Sequence, residues 1–164
     1  MTSHRPTPAD GMLHPLVLCA VALLLINDHI LKAASPGLIT GKLSDLAGMA
    51  FFPVVLVSLW ELSLAVIGRW TGPRLRAAVV AVGLTGAVFA LVKTTSLGAR
   101  AFGQAVTIGQ WLLHVPSAVL SGSFGIPGPP ATVVVDPYDL VALPGLLLAL
   151  AVLWRRVKRA QDPA

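Results

Sequence analysis

Leu46–Gly68, LAGMAFFPVVLVSLWELSLAVIG, is an apolar run whose polar interruptions are Ser58, Glu61 and Ser63. A helix needs about 20 largely apolar residues to cross the hydrocarbon core of a bilayer, and this run meets that length. Three more runs flank it, at about Met12–Leu31, Ala77–Thr95 and Leu140–Trp154. The last is short unless it starts at the interface with Tyr138 and Asp139 and ends at Arg155. Across the chain only 12% of residues are charged and mean hydropathy is +0.81, whereas soluble domains carry about 25% charged residues. The expected fold is all-α, an integral membrane bundle of four transmembrane helices at about residues 12–33, 46–68, 77–97 and 139–156. A signal peptide is the competing reading of the first run, but Asp28, His29 and Lys32 put too much polarity before its small residues.

Outward from the runs, residues 1–11 read as a disordered cytoplasmic tail and 160–164 as a short C-terminal one. Ser35-Pro36-Gly37 stops the first helix, and Ser44 or Asp45 is expected to cap the second. Pro53 should kink that second helix. Gly83/Ala87 and Gly86/Ala90 form two small-residue notches on the third helix. Residues 96–138 make a long outer loop, and its mostly apolar stretch from Ala105 to Leu120 suits an interfacial or re-entrant segment. Ser121–Pro130 is too rich in glycine and proline for regular structure, and Thr132–Val135 is expected to run extended.

Charge placement sets the expected orientation. Arg5, Arg69, Arg74, Arg76, Arg155, Arg156, Lys158 and Arg159 would lie on one side, against Lys32, Lys42, Lys93 and Arg100 on the other. Basic residues favour the cytoplasmic side, which puts both termini in the cytoplasm; the low Lys:Arg ratio, 4 to 8, and the Ala/Gly/Leu/Val bias suggest a bacterial source and hence an inner membrane. The pI near 10.2 therefore reflects topology, and no nucleic-acid partner is expected. The lone Cys19 offers no disulfide or thiolate pair and reads as a small core residue.

Ionisable groups at the edge of the slab are costly and mark candidate sites. With the termini inside, four helix ends would bring Asp28, His29, Asp45 and Asp139 to the outer face as candidate catalytic groups. Asn27, Lys32, Lys42, Ser44, Lys93 and Asp136 would join them as ligand-binding residues. Asp28 and Lys32 are spaced for a helical ion pair, and Lys93 should meet Asp139 or Asp136. Asp45 and Asp139, each placed just before a span, could also serve only as caps. Glu61 is expected to pair with Arg74 or Arg76, or to snorkel. The spacings specify no cofactor, and whether a metal binds stays open.

Asn27-Asp28-x-x-Leu31-Lys32, Thr40-Gly41-Lys42-Leu43-Ser44-Asp45-x-Ala47-Gly48 and Asp136-Pro137-x-Asp139-Leu140 resemble segments of a group of uncharacterised small bacterial multi-helix membrane proteins. The resemblance implies a shared outer-face site and carries no activity. The expected partners are the lipid bilayer and a small anionic or lipid-linked ligand, with a homo-oligomer also open. The competing functions are a structural or accessory protein whose charges clamp the helices, and a small transporter or channel subunit.

Overall fold

The computed structural model describes residues 6–35, 37–121 and 126–161. Its elements in order are a 3-10 turn Asp10–Leu13, α1 (Pro15–Ile26), a π-turn Asn27–Leu31 and the short α2 (Lys32–Ala34), followed by α3 (Leu38–Val66) and α4 (Leu75–Thr94). Then come α5 (Ser96–Ser121), a 3-10 turn Pro137–Ala142 and α6 (Gly145–Gln161). Among the described residues there is no strand. Four segments are long and apolar enough to cross a membrane: Pro15–Ala34, Ile39–Val66, Leu75–Thr94 and Pro137–Gln161. Only 17% of the apolar window in the first and 39% in the second is buried within the chain. Leu18, Leu25, Val80, Leu84, Leu91 and Leu147 face outward. So much exposed apolar helix surface calls for lipid as solvent.

Two compact units divide the chain, one from Met1–Ala87 with Val141–Ala164, the other from Val88–Leu140. In the first, α3 packs between α1 and α6. Its core joins Val17 of α1, Val54 and Val57 of α3, Ala78 and Ala81 of α4, and Ala149, Val152 and Leu153 of α6. Small residues bring α6 close to α3. A Cβ added at Gly145 would lie 2.6 Å from the Leu46 carbonyl oxygen and 2.9 Å from Met49 Cβ. Of the two expected notches on α4, Gly86 is filled by Leu146, whereas nothing lies within 4 Å of a Cβ at Gly83.

The helix boundaries differ from the sequence expectation in instructive ways. α3 starts at Leu38, so Ser44 and Asp45 lie inside it and do not cap it. The cap is made by Thr40, whose Oγ1 accepts from Gly37 N–H at 3.1 Å and donates to Gly37 O at 2.9 Å. The helix continues through Pro53, which is fully buried. At the far end Gly68 adopts φ +69°, and Gly68 N–H bonds to Ala65 O while Arg69 N–H bonds to Leu64 O. This left-handed closure satisfies carbonyls that the helix end would leave open, and glycine enters it without steric cost. Residues 6–11, expected in a disordered tail, are packed: Gly11 is buried, with Val54 Cγ1 3.4 Å from where its Cβ would stand. Residues 1–5 and 162–164, Pro36 and 122–125 lie outside the described residues. Cys19 sits on the exposed side of α1, not in the core.

In the second unit α4 ends at Thr94, and after Thr95 the chain enters a new helix at Ser96. Thr95 caps α5 by accepting from Gly98 N–H at 3.0 Å. Of the expected long outer loop, whose stretch from Ala105 to Leu120 reads as an interfacial or re-entrant segment, residues 96–121 form the 26-residue helix α5. Residues 129–131 run along it: Ala131 N–H donates to Thr107 Oγ1 at 2.9 Å, and Gly103 leaves space for the Ala131 carbonyl. Residues 132–135 carry no regular structure.

Candidate functional site

The α1–α3 hairpin holds a polar cluster built around Asn27, which is 0% exposed. Its position follows from the π-turn, where Lys32 N–H reaches back five residues to Asn27 O. The wider turn shifts side-chain direction by a residue's worth of rotation, and such bulges recur at functional sites. Thr40 and Ser44, one helical turn apart on α3, face it. Asn27 Nδ2 donates to Thr40 O at 2.6 Å and to Ser44 Oγ at 2.5 Å. The Thr40 carbonyl can only accept, which fixes the orientation of the amide. Ser44 Oγ then donates to Asp28 Oδ1 at 2.6 Å, and Lys32 Nζ lies 2.7 Å from the same oxygen. The polarity runs from amide through hydroxyl to carboxylate, with the ammonium closing the chain. Asn27 Oδ1, by contrast, is buried without a hydrogen-bond partner among the described residues. An unsatisfied buried acceptor costs about 1–3 kcal/mol.

Other expected site residues are placed differently. His29 is exposed, and its Nδ1 lies 3.0 Å from Leu25 O on its own helix, so its ring is turned back along α1 and takes no part in this relay. Lys42 and Asp45 are half-buried on α3, and each has an interaction partner. In the second unit Lys93 Nζ meets Asp139 Oδ2 at 2.7 Å, with the two side chains only 15% and 14% exposed. Lys93 also lies 5.7 Å from the centre of the Phe89 ring. Asp139 therefore serves as a counterion within a 3-10 turn and not simply as a helix cap. Asp136 Oδ1 accepts from Tyr138 N–H at 2.9 Å, a local turn contact. Among the described residues no three His, Cys, Asp or Glu side chains gather as a metal site.

At the other end of α3 lies a second polar cluster whose partners the sequence reading missed. Glu61 is 17 positions after Ser44, about 26 Å along a helix. Both its oxygens take Arg156: Nη1 donates to Oε1 at 2.6 Å and Nη2 to Oε2 at 2.8 Å. Arg156 Nε also donates to Asp10 Oδ1, and Nη2 donates to Thr7 O at 2.8 Å. Ala9 N–H completes the set by donating to Glu61 Oε2 at 3.0 Å. Glu61 thus pairs with Arg156 instead of Arg74 or Arg76; Arg74 donates to Thr71 Oγ1 at 2.9 Å. Periodicity carried a signal for this pair. Val54, Val57, Ser58 and Glu61 share one buried stripe, and Ala149, Val152, Leu153, Arg156 and Val157 share another. Each stripe follows the spacing of one helix face.

The four apolar helices and their outward-facing side chains define a multi-pass membrane protein. No protein-family model matches the chain, and no curated protein or solved structure matches it.

Proposed function

We propose that the chain is a bacterial inner-membrane protein, both termini cytoplasmic, whose outer-face polar cluster binds and positions a small anionic or lipid-linked molecule. Asn27, Asp28, Lys32 and Ser44 form the site. The observation that carries this reading is the buried, unpartnered Asn27 Oδ1 beside a π-turn. Every donor of the Asn27 amide is in use, so the group still asking for a partner is an acceptor. A ligand with a hydroxyl or ammonium donor next to its anionic group fits best, the donor meeting Asn27 and the anion meeting Lys32. Eight basic residues on the proposed inner side against four on the outer side support the orientation.

A second reading, a structural clamp, is favoured by the pairing of Asp28 with Lys32 and of Lys93 with Asp139. Mass spectrometry of the gently extracted chain separates the two. A binding site predicts a co-purifying polar species that Lys32→Gln and Asp28→Asn, both at exposed side chains, lose while expression and Tm hold. If no species is enriched and the same variants instead lower Tm or vanish from the membrane, the clamp is correct. Reporter fusions after Arg159 and within residues 121–130 test the orientation, and a cytoplasmic signal from the second would overturn it.

A further inference from the structure

The end of the molecule that carries Arg156 holds a second candidate site, separate from the hairpin cluster. A cavity of about 360 Å³ lies between the start of α1 and the last turns of α6, lined among others by Asp10, His14, Pro15, Arg155, Arg156 and Arg159. Arg156 and Asp10 are bound to each other, and Arg156 also to Glu61. Arg155 and Arg159 are different: they are exposed, four residues apart on one face of α6, and make no ion pair among the described residues. His14 supplies a third donor. Its Nδ1 accepts from Leu16 N–H at 3.3 Å, so the neutral ring carries its proton on Nε2. Summed over Arg155, Arg156, Arg159, Asp10 and Glu61, the formal charge of the region is +1.

The depth of the cavity is marked by aromatic chemistry. Trp154 is 43% exposed, and Lys158 Nζ sits 4.3 Å from the centre of its ring. Tryptophan and lysine so arranged belong at the lipid–water boundary. Directly before them lies the apolar part of α6, and directly after them the polar end. Paired guanidinium forks suit the oxygens of a phosphate, and basic pockets between helices at this depth take lipid head groups.

We propose that Arg155, Arg159 and His14 form a phosphate site at the membrane boundary, filled by the head group of an anionic phospholipid or by a free phosphate compound. The full chain is purified in detergent and examined by native mass spectrometry with phosphatidylglycerol or phosphatidylcholine, and by thermal shift with inorganic phosphate. The expected result is retention of phosphatidylglycerol over phosphatidylcholine, reduced about ten- to thirtyfold in R155Q/R159Q. R69Q/R74Q, which removes two exposed arginines from the α3–α4 connection, should retain the lipid. Arginine-dependent stabilisation by inorganic phosphate without a lipid preference supports the same site with a soluble ligand. Equal loss in both double variants means diffuse surface attraction and overturns the proposal, as does the absence of either form of binding in the wild type. Arg155 and Arg159 are exposed, so their replacement leaves the core intact, and an unchanged Tm without ligand verifies this.

Discussion

Replacing Glu61 by glutamine keeps the shape of the side chain and removes its charge. In the native structure Glu61 is 4% and Arg156 9% exposed, and two charge-assisted bonds join them. Removing one member of a buried pair costs about 3–5 kcal/mol, because the other charge stays buried without its counterion. Asp10 still contacts Arg156 from a side chain that is 28% exposed, which places the expected loss near the lower end, about 3 kcal/mol. That corresponds to roughly a 150-fold change in the unfolding equilibrium. The loss should be local as well as global, since Thr7 O and Ala9 N–H are held by the same two side chains. Hydrogen exchange should therefore accelerate in residues 7–14 of Glu61→Gln while α4 stays protected. Denaturant unfolding in micelles gives the global figure. The double variant E61M/R156M should lose less than Glu61→Gln, because it leaves no charge deeply buried: the Asp10 carboxylate it unpairs is 28% exposed and can reach water. Unchanged exchange in residues 7–14, with stability within about 0.5 kcal/mol of wild type, would refute the assignment of this pair as the fastening of the N-terminal segment.

Three further outcomes follow from particular contacts. Gly145→Ala forces a methyl against the Leu46 carbonyl and should cost about 1–3 kcal/mol in thermal unfolding, whereas Gly83→Ala, with open space around it, should be neutral or gain up to about 1 kcal/mol. Ser44→Ala removes the hydroxyl between Asn27 and Asp28 and should cost about 1–2 kcal/mol in the same assay; an unchanged midpoint would show the relay to be dispensable. Burial, then the positive charges of Arg159 and Arg155, hold His14 below its ordinary 6.5. The unfolded chain therefore takes up this proton first, and the contribution of His14 to stability is present above pH 6.5 and declines as pH falls through the folded value. With Arg155, Arg156, Arg159 and Asp10 the charged groups lining its cavity, R155Q/R159Q should raise the His14 midpoint in an NMR titration.

The bundle was legible because apolar length is a one-dimensional property. Leu46–Gly68 and its three companions announce spans whatever they pack against, and the structure has four helices with that capacity. The local pair Asp28–Lys32 was legible from helical spacing, and the need of Lys93 for a carboxylate left Asp139 or Asp136, of which the structure pairs it with Asp139. Boundaries were harder. The polar residues from Thr40 to Asp45 look like loop, yet a helix that extends beyond the hydrocarbon can carry them in its first turns. Asn27 gave no sign that it would be fully buried, because nothing in a run ending Ile26-Asn27-Asp28 announces a π-turn. In the sequence Arg156 reads as one of the flanking cations because it neighbours Arg155. Only the phase of the α6 stripe separates the two.

The contacts among Asp10, Glu61 and Arg156 have a consequence for how the chain is made. Asp10 and Glu61 emerge from the ribosome long before Arg156, which lies 146 and 95 positions further on. During insertion of the first three spans, both carboxylates lack the Arg156 guanidinium that holds them in the folded chain. The acid in α3 therefore works against deep placement of that helix until α6 has been made. Arrival of α6 then removes the penalty in one step, so that a helix made later locks residues 7–10, which are made earlier.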